Sequence, residues 1–220
     1  MDWTATIDGY CERLDPGFWA EPLNAVSNIA FLIAAYVMWR RSRADGFPIV
    51  TLLIAILTSI GIGSFLFHTF ATRWAALADV LPIALFILIY LYAANRYFWG
   101  LGSALSAIGT AAFIPYAALT VPVFQALPFF AISAAYWPVP VLILAYAAAL
   151  ARSAPQTALG LAIGGSLLCL SLVLRSLDEP LCETIPVGTH IWWHVLNGIL
   201  LGWMIEVLLR TRLAARGDSG

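Results

Sequence analysis

Seven stretches of this 220-residue chain are apolar for about the length of a bilayer crossing. A spanning helix needs about 20 mainly apolar residues. The stretches run over 22–39, 48–69, 75–95, 100–120, 128–150, 156–175 and 189–209. The expected fold is therefore all-α, a polytopic seven-transmembrane helix bundle over 22–209. An N-terminal segment, 1–21, precedes it and a tail, 210–220, follows. Charged residues make up 10% of the chain, against roughly 25% in a soluble domain, which leaves no room for a separate soluble domain. The fourth and fifth stretches have the weakest boundaries, because Pro115, Pro122, Pro128, Pro138 and Pro140 interrupt them. Proline is tolerated in a membrane helix when neighbours re-satisfy the freed carbonyls, so 121–140 reads as a kink or a re-entrant piece.

Arginine sets the expected orientation. Lysine is absent and all eleven basic residues are arginine. Arg40, Arg41, Arg43, Arg96, Arg152, Arg210, Arg212 and Arg216 fall on one side of the seven crossings. Arg13, Arg73 and Arg175 fall on the other. The excess marks the cytoplasmic side, so the C-terminus is expected inside and the N-terminus outside. The N-terminus is acidic and lacks a basic region followed by an apolar core, so no cleavable signal peptide is expected and targeting falls to the first helix. A net charge of −1 gives no reason to expect nucleic acid. Nothing implies a protein partner.

Only three histidines occur: His68, His190 and His194. His190 and His194 stand four apart, on one helix face about 6 Å apart along the axis. In the orientation set by arginine, His68 and Ser64 lie at the outer end of the second crossing. Asp79 lies near the outer end of the third, and His190 and His194 in the first turns of the seventh. All five share a depth. Three imidazoles with an open fourth position are the ligand set of a catalytic zinc. Such a metal lowers the pKa of a bound water to roughly 7. Asp79 is then the candidate general acid/base, and Ser64, one turn before His68, the candidate donor to a developing oxyanion. Ionisable groups inside membrane segments are functional candidates by default. Each has a plainer reading. A membrane histidine bonds between helices, Ser64 packs as a small residue, and Asp79 answers a helix dipole. Glu206 reads as snorkelling toward Arg210, Asn197 as support for the site or interhelical glue, and Cys169 as a packing residue.

These residues resemble the alkaline ceramidase family. The resemblance rests on Ser64-Phe65-Leu66-Phe67-His68, Asp79 eleven residues on, and His190-Ile191-Trp192-Trp193-His194. Tyr10-Cys11-Glu12-Arg13 and Ala20-Glu21-Pro22-Leu23-Asn24-Ala25-Val26-Ser27-Asn28 look like the family's N-terminal segment. The family belongs to a wider superfamily of seven-helix membrane hydrolases that includes adiponectin-receptor-like proteins. The resemblance implies zinc on His68, His190 and His194, with Asp79 as the water-activating acid/base and Ser64 as oxyanion stabiliser. It also implies calcium in the N-terminal segment, on Glu12 and Glu21, with Asp8, Asp15 and Tyr10 as further candidates. Five acids within about twenty residues supply the hard oxygens calcium prefers. It implies a disulfide between Cys11 and Cys182.

The leading expectation is a zinc-dependent lipid amidase that cleaves the N-acyl bond of ceramide-like lipids to a fatty acid and a long-chain base. Its partner is a membrane lipid. The lack of lysine and the short loops suggest a bacterial member, in the inner membrane with its site toward the periplasm. Hydrolysis of a different acylated lipid is an alternative. A non-catalytic lipid sensor or receptor is another, but a structural zinc needs neither Ser64 nor Asp79. A transporter fits less well, since it carries polar groups through the midplane and shows internal repeats. Here the polar cluster stops at one interface.

Overall fold

A computed structural model describes residues 2–7 and 9–217. Ten α-helices follow one another: α1 (Pro22–Ser27), α2 (Ile29–Ser42), α3 (Pro48–Phe70), α4 (Arg73–Tyr97), α5 (Ser103–Ala111), α6 (Phe113–Gln125), α7 (Pro128–Ala131), α8 (Pro138–Leu150), α9 (Pro155–Ser176) and α10 (His190–Gly217). Five of them begin on proline. The first helical residue needs no N–H, and proline's fixed φ suits that position. Among the described residues there is no strand, only one bridge between Thr6 and Thr72.

Six helical units are long and apolar enough to cross a membrane: Pro22–Ser42, Pro48–Phe70, Arg73–Tyr97, Ser103–Gln125, Pro155–Ser176 and His190–Gly217. The outward surface is apolar too. No residue of α6 is buried, and Ile114, Leu119 and Val123 on it face outward. Such a surface is stable against lipid tails, not water. This is a membrane protein.

The fifth apolar stretch departs from expectation. It is a helix only over Pro138–Leu150, 13 residues, with α7 and a run of turns before it. Continuing the helix back through 132–137 would lose the amide bonds that Pro138 and Pro140 cannot donate to carbonyls four residues earlier. At the other end of the chain, α10 runs 28 residues to Gly217, so most of the expected tail is helical.

The core lies where α2, α3, α9 and α10 meet, around Leu53, Leu57, Leu172, Leu200, Ile205 and Leu208, all essentially fully buried. Close approach depends on small residues. A Cβ on Gly198 of α10 would press on the backbone of Ala30 in α2, and one on Gly63 of α3 would collide with the carbonyl oxygen of Ala78 in α4. Helices in lipid gain contact by such backbone proximity. Glu206, in the far half of α10, pairs with Arg210 at 2.7 Å and with Arg41 of α2 at 3.3 Å.

Candidate active site

His68 is in the last turn of α3, and His190 and His194 are in the first two turns of α10. The fold brings their ligand nitrogens to within 4.8 Å of one another. All three are at most 1% exposed. Among the described residues, this is the only group of three or more His, Cys, Asp or Glu side chains placed to share an ion.

Two of the imidazoles are aimed by the α1 region. His68 Nδ1 lies 2.6 Å from Glu21 Oε2. An ionised carboxylate only accepts, so Nδ1 carries the proton and Nε2 keeps its lone pair. That Nε2 is buried with no hydrogen-bond partner among the described residues. His194 Nδ1 lies 2.7 Å from Ser27 Oγ, whose own hydrogen goes to the carbonyl of Asn24 at 2.8 Å. The serine therefore accepts from Nδ1–H, and His194 also keeps Nε2 free. Ser64 Oγ lies 3.4 Å from that nitrogen. Buried, oriented imidazoles with free lone pairs are the donor set a zinc ion takes, and hydrogen-bonded partners behind them are the usual support. The residues fit a metal.

Asp79 is half-buried on α4, where its carboxylate interacts with Ser64 and His68 across the α3–α4 contact. It lines a cavity of about 320 Å³ with Tyr10, Tyr136, Arg175, Asp178 and Trp193. A second, almost wholly apolar cavity of about 110 Å³ runs into the bundle past Phe86, Ile143 and Leu200. Ile83, Tyr136 and Trp193 line both. A cavity that carries Asp79, Arg175 and Asp178 among apolar neighbours therefore shares a wall with an almost wholly apolar one.

The N-terminal segment covers this end of the bundle. Ile7 donates to the Ala71 carbonyl at 2.7 Å, and Arg73 to that of Ala5 at 3.1 Å. The Tyr10 ring lies on His190, centroids 3.9 Å apart, and near His68 at 5.1 Å. Burial pushes the Tyr10 phenol above its ordinary pKa, so it stays neutral. Cys11 and Cys182 are joined by a disulfide, Cα atoms 5.2 Å apart. Asp178, also buried, accepts from the backbone N–H groups of Cys11, Thr189 and His190 at 3.1, 2.6 and 2.8 Å. It ties the segment to the start of α10.

The residues expected to take calcium do other work. Glu21 is buried between Arg13, at 2.5 Å, and His68. Burial raises its carboxyl pKa, but the bonds from His68 and Arg13 outweigh that and hold it below the ordinary carboxylate value. Glu12 accepts from the Leu23 and Asn24 N–H groups at 2.6 and 2.8 Å, which caps α1. Asp15 is exposed and accepts from Gly17 N–H. The Tyr10 carbonyl accepts from Arg13 N–H. Asp8 lies outside the described residues. Among the described residues, these acids form no group of three placed to share an ion.

Sequence reasoning also missed Ser27, Arg13, Tyr136, Arg175, Asp178 and the second role of Glu21. One signal was available: Asn24, Ser27 and Asn28 are polar, three and four apart, in an otherwise apolar first crossing. Asn197 bonds Ser171 of α9 at 2.8 Å and so links helices, and Cys169 is half-buried and free.

Fold and site together define a polytopic helical membrane protein with a buried three-imidazole cluster at one end of its bundle and a small apolar cavity within the bundle. The chain belongs to the ceramidase family, whose model matches residues 2–219. Membership implies a hydrolase that acts on amide bonds and a lipid substrate. No curated protein matches the chain.

Proposed function

We propose that this protein is a zinc-dependent intramembrane amidase that cleaves the N-acyl bond of a ceramide-like lipid to a fatty acid and a long-chain base. The observation that carries this reading is that two cavities share Ile83, Tyr136 and Trp193, one bearing Asp79 and Arg175 and the other almost wholly apolar. A lipid with its amide at that shared wall would lay its acyl chain in the bundle and its headgroup toward Tyr10 and Arg175. His68, His190 and His194 would hold the metal, which when bound supplies Lewis-acid activation of water near neutral pH.

The chain's own residues would do the rest. Asp79 takes a proton from the attacking water and hands it to the departing amine. The Ser64 hydroxyl donates to the oxygen that becomes negative as the carbonyl carbon turns tetrahedral. Glu21 and Ser27 hold two imidazoles in the tautomer that leaves Nε2 free. Tyr10 and Trp193 flank the site and keep bulk water off it.

Seven crossings, with the N-terminus outside and the C-terminus inside, complete the proposal. Parity supports it. Between His68, at the end of α3, and His190, at the start of α10, the chain runs through α4, α5–α6, α8 and α9. An even number of crossings returns it to the same face, and the histidines meet. The short α8 therefore counts as a crossing. The arginine distribution then puts the site at the outer face, periplasmic if the protein sits in a bacterial inner membrane. Residues 1–21 form the outer segment, 22–209 the hydrolase domain and 210–220 the inner tail.

The test is release of fatty acid from a panel of N-acyl and O-acyl lipids by detergent-purified protein, read by mass spectrometry. His190→Ala is expected to lose bound zinc and all release. Asp79→Asn is expected to keep zinc and lose release. Full activity in either variant would remove that residue from the mechanism.

A further inference from the structure

A buried arginine sits where the family resemblance implies a calcium ion. The Arg13 side chain is 5% exposed. Its Nε donates to Glu21 Oε1 at 2.5 Å, Nη1 to the carbonyls of Asp15 at 3.2 Å and Gly17 at 3.3 Å, and Nη2 to the carbonyl of His68 at 3.1 Å. Four oxygens, three of them backbone carbonyls, thus converge on one cation. Calcium wants about six to eight oxygens of this same kind, free to face it. Here the cage is closed by a guanidinium, whose rigid fork of donors suits several oxygens at once. The remaining candidates among the described residues are spent elsewhere: Glu12 on α1, Asp15 on Gly17 N–H, and the Tyr10 carbonyl on Arg13 N–H.

We infer that Arg13 is the built-in cation of the outer segment, taking the structural place of calcium and fixing Glu21 against His68, so that the protein needs no calcium there. The chain of contacts runs from the guanidinium to Glu21 Oε1, through the same carboxylate to Oε2, and on to His68 Nδ1. A second arm reaches the His68 carbonyl and holds the end of α3. Arg13 is therefore a positioning residue for the histidine cluster, two bonds removed from any reacting atom. A tethered cation also costs nothing in mass action. A bound ion stabilises only while its free concentration exceeds its dissociation constant.

The test is a calcium titration of wild-type protein freed of calcium by ion-exchange resin. It is read by radioactive calcium binding and by thermal melting, and neither readout depends on the enzyme reading. No saturable binding and an unchanged melting temperature up to millimolar calcium are expected. Saturable binding, with a rise of about 5 °C or more, would overturn the inference. The second arm is Arg13→Lys beside Arg13→Gln. Removing one partner of a buried ion pair leaves the other uncompensated, so Arg13→Gln is expected to lower the melting temperature by about 10 °C. Arg13→Lys keeps the charge but not the fork and is expected to fall between. If Arg13→Gln does not fold, Arg13→Lys and the wild-type titration still decide. Variants that melt with the wild type would show that Arg13 holds nothing together.

Discussion

At the scale of single residues, the proposed metal site divides ligation from aim. His68, His190 and His194 bring the nitrogens, while Glu21 and Ser27 decide which nitrogen of two rings is free. Ser27→Ala tests the second task alone. It removes the acceptor for His194 Nδ1–H without touching a ligand, and loss of such support costs about 10–100-fold in metal affinity or activity. Competition with a chromogenic chelator is expected to show zinc affinity reduced within that range. Unchanged affinity would mean that packing, not the hydroxyl, holds the ring. The histidine cluster was legible in the sequence because two stand four apart and the third is expected at their depth. The supports were not. Whether Glu21 meets calcium, arginine or a histidine depends on where residues 10–21 lie against the end of α3. Arg13 carries no mark in the sequence that separates it from a solvated surface charge. Reading the acids alone left out Arg13, whose guanidinium meets Glu21.

At the scale of elements, the site depends on how closely α3 and α4 approach. Ser64 and Asp79 belong to different helices, and the residues just before them, Gly63 and Ala78, make the contact. A Cβ at Gly63 would collide with the Ala78 carbonyl oxygen and crowd the Asp79 N–H. These are backbone atoms, so the helices themselves would have to separate. Gly63→Ala adds one methyl group, touches neither metal nor substrate, and is expected to spread Ser64 from Asp79. A displacement near 1 Å can cost about 100-fold in rate. Turnover is expected to fall on that order while zinc content stays at wild-type level. Wild-type turnover would show that the helices absorb the methyl group elsewhere. In sequence, SIGIGSF marks a close-packing segment without naming the partner helix. Less legible at this scale was where the fifth stretch becomes helical. Hydrophobicity alone extended it to 128–150, but Pro138 and Pro140 start the helix ten residues later.

At the scale of the whole molecule, the histidine end of the bundle is one linked body. The disulfide joins Cys11 to Cys182, Asp178 joins Cys11 to the start of α10, and Arg13 joins the same segment to α3. Three connections hold two distant helix ends in register, and in the proposed topology the histidines on those ends meet because the chain between them crosses an even number of times. That makes α8 decisive. It is 13 residues long, about 20 Å at 1.5 Å per residue, against a hydrocarbon core of about 30 Å. The turns over 132–137 and α7 make up the difference at the polar end, where Ser133 bonds Ser176 and Arg175. If α8 crosses, the connections on either side of it lie on opposite faces of the membrane. Single cysteines in a Cys169→Ala background test this directly, since Cys11 and Cys182 are paired. Leu127→Cys is expected to react with a membrane-impermeant maleimide from outside intact cells, and Ser153→Cys only after the membrane is opened. Labelling of both from one side would remove α8, the fifth crossing, from the count. It would also leave the meeting of His68 with His190 and His194 without a path for the chain between them.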